Sequence, residues 1–143
     1  MLRAALHGAK EGGGNVEPTC RVLGVSVLTS LDAVQLAAVW GRGDIGDVSV
    51  EVLRLATLAA ESGLHGLVCG GHEAGLVRAR HGGSLELLVP GIRLEGGASH
   101  DQARVVTPRV AQDAGADYLV LGRAVTQSGN PAAVLGEIRR SLQ

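Results

Sequence analysis

Apolar residues along this chain recur in two alternating rhythms, helical stripes and short β-rich runs. Leu2, Ala5 and Leu6 share one face of a helix predicted over the first dozen residues, which the Gly12-Gly13-Gly14 run ends. Pro18 leads into Val22 to Leu28, a Val-rich stretch suited to a buried strand. Asp47 is placed to cap a helix whose stripe is Val48, Val52, Leu55, Ala56 and Ala59, and Gly63 lies just past its end. Leu64 to Cys69 reads as the next strand, Gly70-Gly71 as a turn, and His72 to His81 as a helix. A third strand is expected over Ser84 to Val89, then a long loop from Pro90 to Val106. Thr107 with Pro108 starts a helix that Gly115 stops; Asp117 to Leu121 is the fourth strand. Asn130 with Pro131 starts a last helix carrying Val134, Leu135, Ile138 and Leu142.

Alternation of this kind is the mark of parallel strands joined by crossover helices, an α/β fold. A weak internal repeat supports it. Glu61-Ser62-Gly63, Leu67-Val68 and Gly70 correspond to Asp113-Ala114-Gly115, Leu119-Val120 and Gly122. Each copy runs helix end, Gly, strand, Gly. Such units build TIM barrels and doubly wound sheets alike, so the pattern alone leaves both open.

Composition narrows the class. At 143 residues the chain fits a single α/β domain, 1–143. Its apolar content is 45% but only 1% is aromatic, so the core must be aliphatic. The net charge of −1 gives no electrostatic case for nucleic acid or an anionic membrane, and stacking platforms are missing. Cys20 and Cys69 fit no metal spacing and read as reduced thiols. No run approaches the ~18 apolar residues a membrane span needs. The N-terminus turns polar too soon for a signal peptide, so a cytoplasmic location is expected.

Ligands on either architecture bind beyond the C-terminal ends of the strands. Leu28-Thr29-Ser30, Val89-Pro90-Gly91-Ile92-Arg93 and Leu121-Gly122-Arg123 all fall there. Gly91 and Gly122 let backbone amides approach an anion, Arg93 and Arg123 add planar forks that match phosphate oxygens, and Gln102 offers an amide donor. Turn glycines and surface ion pairs would give the same letters.

A resemblance separates these alternatives. Val25-Ser26-Val27-Leu28-Thr29-Ser30 resembles the fifth-strand signature of bacterial orotidine 5′-phosphate decarboxylases, and Gly66-Leu67-Val68-Cys69 their sixth strand. Val89-Pro90-Gly91-Ile92-Arg93, with Asp101-Gln102 and Thr107-Pro108, is similar to their phosphate loop. Ala114 to Arg123, then Thr126-Gln127-Ser128 and Pro131, resembles their eighth strand and final helices. These motifs run in family order over nearly the whole chain from Val22. The resemblance implies the C-terminal half of a (β/α)8 TIM barrel, four parallel strands with crossover helices. It further implies that Arg93, Gln102, Gly122 and Arg123 hold the phosphate of orotidine 5′-phosphate or uridine 5′-phosphate. Thr29 would hydrogen-bond the pyrimidine and Pro90 would line the pocket. The implied reaction is decarboxylation to uridine 5′-phosphate and carbon dioxide in pyrimidine biosynthesis, with no cofactor, by a homodimer. Gly70-Gly71 departs from the family, which more often has a small polar residue first, and a looser turn is expected there.

The front of the family pattern is absent. Its catalytic center is an Asp-Lys-x-x-Asp array, preceded by an aspartate and a lysine from the first two strands. A positioned lysine ammonium there stabilises and protonates the developing carbanion. Lys10 is the only lysine here, between Ala9 and Glu11 at the end of the first predicted helix, and no Asp-Lys-x-x-Asp occurs. No catalytic residue is therefore assigned. By the resemblance, Met1 falls within the family's fourth βα unit, and the N-terminal units of a barrel of ~250 residues are missing. An incomplete gene product, one half of a split enzyme and a deliberately made half-barrel all fit. Unpaired outer strands and an uncovered interior predict homo-oligomers, or pairing with a missing N-terminal half.

The remaining polar residues suggest little chemistry. His7, His65, His72, His81 and His100 show no ligand pairing, so no metal site is expected, although His72 opens a helix near the strand ends. Ser99-His100-Asp101 is read as a polar loop, since triads assemble in space. Asp44, Asp47, Glu51 and Glu61 fit capping or solvent-facing roles, and Trp40 fits packing at the start of a long connection. Two rival functions remain: a non-catalytic nucleotide-monophosphate-binding module, and a related sugar-phosphate decarboxylase on the same barrel.

Overall fold

Short apolar runs separated by capped helices fold into one four-stranded parallel sheet. The structure, a computed structural model, describes residues 1–12, 20–94 and 105–143. In chain order the elements are α1 (Leu2–Gly12), β1 (Leu23–Val25), α2 (Ala33–Val39), α3 (Val48–Glu61), β2 (Gly66–Val68) and α4 (Gly71–His81). A 3-10 turn (Gly82–Ser84) follows, then β3 (Glu86–Val89), α5 (Pro108–Asp113), β4 (Tyr118–Leu119), α6 (Arg123–Thr126) and α7 (Pro131–Ser141). The strand order is β1-β2-β3-β4, every pair parallel.

Local chemistry sets the helix starts. Asp47 accepts the Ser49 amide at 2.8 Å ahead of α3, and Thr107 accepts the Val110 amide at 3.3 Å ahead of α5, with Pro108 in its first turn. Asn130 accepts the Ala133 amide at 3.1 Å to open α7. Gly63 and Gly115, which end the two repeat copies' helices, take φ of 78° and 91°, a backbone that side chains disfavour.

Two elements go beyond the sequence expectation. α2 fills a stretch for which no element was predicted. Asp32 Oδ1 accepts the Gln35 amide at 2.8 Å while Gln35 Oε1 accepts the Asp32 amide at 3.0 Å, a reciprocal cap that lets Leu36 and Ala37 bury. α6 is a single turn after β4. The strands are also shorter than their apolar runs. β1 stops at Val25, where Ser26 directs both its amide (3.0 Å) and its hydroxyl (2.7 Å) at the Val68 carbonyl. β3 starts at Glu86 because the 3-10 turn occupies Gly82–Ser84.

Register divides the sheet into two unlike faces. Gly24, Leu67 and Leu87 are partners, as are Val89 and Leu119, so their side chains share one face. Leu67, Leu87 and Val89 are buried there with Val52, Ala56 and Ala59 of α3, Ala74 and Val77 of α4, and Ala111 of α5. The opposite face carries the row Val25, Val68, Leu88 and Tyr118. Its ends are open: Val25 is 59% and Tyr118 46% exposed. Parallel sheets ordinarily have both faces covered; among the described residues, only one is.

β4 is the briefest strand, and a side-chain clamp supports it. The Arg78 guanidinium donates to the carbonyls of Gly115 (2.7 Å), Gly82 (2.6 Å) and Leu85 (3.1 Å) and to Asp117 Oδ2 (2.6 Å). The same Asp117 oxygen accepts the Leu87 amide at 2.7 Å. Arg78→Met keeps the stem but removes every donor. It is expected to destabilise the chain by roughly 1–3 kcal/mol in urea unfolding.

Candidate functional site

The C-terminal ends of the four strands deliver the predicted site segments to one end of the sheet. β3 and β4 are neighbours there, and beyond the ladder the Val120 amide still donates to the Val89 carbonyl at 2.9 Å. Pro90 to Arg93 and Gly122-Arg123 therefore leave adjacent strands side by side. Parallel neighbours lie about 4.8 Å apart.

Each segment has its own anchor. Gly91 adopts φ 77°, a turn that only glycine takes without strain. The segment then pairs with the far end of the following loop through a parallel bridge between Ile92 and Val106. The Arg93 amide donates to the Val106 carbonyl at 3.0 Å, and the Val106 amide to the Gly91 carbonyl at 3.2 Å. Arg93 is buried, and its Nη1 donates to the Ile92 carbonyl at 2.7 Å. Pro90 is half-buried. Gly122 is the exposed N-cap of α6, and Arg123 its half-buried first residue. Thr29 is buried in the turn after β1, where the Leu31 amide reaches the Leu28 carbonyl at 3.1 Å. Its methyl lies 3.5 Å from where a Cβ on Gly70 would sit, so it abuts the end of β2. Gln102 and the Ser99-His100-Asp101 loop lie outside the described residues.

Other residues singled out in the sequence fall away from this end, except His72, which follows the C-terminal end of β2. Lys10 is exposed in the last turn of α1. His65 Nδ1 accepts the Val22 amide at 2.8 Å, a structural role, and His7 pairs with Glu11 on α1 at 3.1 Å. His72 is exposed in the first turn of α4. Among the described residues no cluster of His, Cys, Asp and Glu could hold a metal, and no helix is long and apolar enough to cross a membrane.

Comparison with known proteins accounts for this arrangement. The profile of the Orotidine 5′-phosphate decarboxylase / HUMPS family matches residues 1–138. The chain belongs to that family. It is 45% identical over 143 residues to an orotidine 5′-phosphate decarboxylase of Thermobifida fusca, covering 100% of this chain and 57% of that one. A second relative of that name, from Alcanivorax borkumensis, is 44% identical over 96% of this chain and 58% of its own. Among solved structures, the orotidine 5′-phosphate decarboxylase of Lactobacillus acidophilus superposes with a TM-score of 0.80 at 25% identity, over 100% of this chain and 58% of that one. The Sulfolobus solfataricus enzyme, at 20% identity and a TM-score of 0.61, adds support for the fold alone. The chain spans somewhat over half the length of these relatives, and its four-stranded parallel sheet is a partial TIM barrel.

One expectation for this family member needs correction. Glu51, in the first turn of α3, neither faces solvent nor caps the helix; it is 6% exposed and paired with Arg42 and Arg54. Its Oε2 accepts from Arg54 Nε at 2.7 Å and its Oε1 from Arg42. Both guanidiniums also lie near the Trp40 ring, 5.8 and 5.9 Å from its centroid. Trp40 thus packs at the α2–α3 connection as expected, with two cations beside its ring. The sequence signal was a charge spacing: Glu51 and Arg54 are three apart on one helical face.

Hydrogen bonds from Arg54 and then Arg42 hold the Glu51 carboxyl below its ordinary value of 4.5, against the opposing effect of burial. A depressed carboxyl contributes stability above its unfolded value, and that contribution is lost as pH falls through the folded one. Glu51→Gln should therefore lower the unfolding midpoint at pH 7. The gap to the parent should narrow as pH is taken below 4.5, which thermal melts across an acid series would read.

Proposed function

We propose that this chain supplies the phosphate- and pyrimidine-binding half of an orotidine 5′-phosphate decarboxylase, working in the cytoplasm as one domain over 1–143. Supporting this above all is the pairing of β3 with β4, which sends Gly91–Arg93 and Gly122–Arg123 out together at the ligand-binding end of the sheet. Two guanidiniums, backbone amides at two glycines, and the Gln102 amide suit a phosphate dianion. Thr29 and Pro90 would contact the base and line its pocket. The ligands would be orotidine 5′-phosphate and its product, uridine 5′-phosphate, with no cofactor.

Decarboxylation itself needs an ammonium held among carboxylates where the carbanion develops. The only lysine, Lys10, sits on α1, away from the strand ends. Chemistry would then require the barrel's other half, which would also cover the open row from Val25 to Tyr118. A second copy of this chain could cover that row, giving a homo-oligomer, but it would bring no catalytic lysine. Without the other half, the chain is a nucleotide-monophosphate-binding half-barrel. The related sugar-phosphate decarboxylase reading is disfavoured by the Thr29 and Pro90 segments.

Calorimetry with uridine 5′-phosphate tests the assignment. Arg123→Ala should lose roughly 1.5–3 kcal/mol, about tenfold to a hundredfold in affinity. Unchanged binding would refute the phosphate site, and equal affinity for ribose 5-phosphate would favour the sugar-phosphate reading. The purified chain should show no decarboxylation of orotidine 5′-phosphate; robust turnover would overturn the half-enzyme view. In sedimentation it should self-associate, and a stable monomer would argue against an interior that needs covering.

A further inference from the structure

Gly71, the first residue of α4, has no role in the reading above, yet its surroundings are among the tightest in the molecule. A Cβ built on it would lie 2.2 Å from Val106 Cγ2, 2.8 Å from Cγ1 and 3.0 Å from Val106 Cβ. Such distances lie well inside van der Waals contact, and they involve both methyls and their branch point. Rotating Val106 about χ1 can swing a methyl aside, but χ1 is stiff in a β-branched residue and the 3.0 Å approach to its Cβ remains. Gly70 differs, because its closest neighbour, at 2.3 Å, is the far end of the Glu73 side chain, which has torsions with which to move.

Val106 has two tasks. Its side chain rests on the bare Cα of Gly71, and its main chain holds Gly91 and Arg93 through the 3.2 and 3.0 Å hydrogen bonds of the bridge. Thr107, the next residue, caps α5. The end of β2 is thereby coupled to the segment leaving β3. We propose that Gly71 is a positioning residue for the phosphate site: it seats Val106 and, through Val106, sets where Gly91–Arg93 present their amides and guanidinium. The ligand consequence rests on the phosphate reading above; the seat itself does not.

The test compares the full chain with Gly71→Ala, Gly71→Ala/Val106→Ala and Gly75→Ala. Gly75 shares α4 and has nothing within 4 Å of a built Cβ, so it controls for alanine in that helix. Two quantities are read: uridine 5′-phosphate affinity, and hydrogen exchange at the Arg93 and Val106 amides. Gly71→Ala should weaken binding about tenfold and speed exchange at both amides. Removing the two Val106 methyls in the double variant should restore most of the affinity and protection, and Gly75→Ala should change neither. Rescue by a second truncation is not what a generic loss of packing produces. Parent-like binding and exchange in Gly71→Ala would overturn the proposal. So would a double variant as weak, or as unfolded, as the single one. If the parent chain does not bind the nucleotide at all, the phosphate reading fails, and exchange at the two amides still decides the seat.

Discussion

The arrangement at the C-terminal end of this sheet depends on β4 holding its register beside β3 with a ladder of only two residues. Backbone pairing over so short a length is weak, and the stabilisation comes from below. Asp117 stands at the entry to β4 and takes the Leu87 amide of β3, while Arg78 of α4 holds Asp117 and the carbonyls on either side. The clamp sits at the N-terminal end of the strands and its effect is felt at the other end. A slip of one residue would exchange the faces of Leu119 and Tyr118 and carry Arg123 away from the segment after β3. A stabilising clamp below and the proposed phosphate residues above would match the division of labour usual in βα barrels.

The two faces of the sheet make a second point. The helix-covered face is aliphatic and closed, as a composition with 1% aromatics demands. The other face carries residues of the same character, Val25, Val68 and Leu88, but no layer over them among the described residues. A sequence built for burial on both sides therefore meets solvent on one. This fits a partial barrel whose relatives are considerably longer.

Much of this was legible in the sequence. Helix caps at Asp47, Thr107 and Asn130, and the positive-φ stops at Gly63 and Gly115, are local chemistry, and they fall where the residue types put them. The parallel arrangement followed from the alternation of strands and helices, and the choice of barrel from the family resemblance. α2 also has a local signature: Asp32 and Gln35 spell a capping box before an apolar run. Strand ends were not legible, because the limits of a ladder depend on which backbone groups meet in three dimensions: β1 ends at Val25, and β3 begins only after the 3-10 turn. Glu51 looked like any surface glutamate until Arg42, nine residues earlier, folded back onto it. Nor does any local pattern reveal Gly71 against Val106, two residues far apart in sequence. Of the site, Arg93, Gly122, Arg123, Pro90 and Thr29 all reach the same end of the sheet.

The lone indole brings a practical consequence. Trp40 lies beside Arg42 and Arg54 at the connection from α2 to α3, at the edge of the core and not within the sheet. Fluorescence emission from this protein would thus be a local signal, sensitive to release of those two arginines. An optical melt could register that corner loosening while β2 and β3 stay zipped, so probe-dependent transitions would be expected even from a cooperative core.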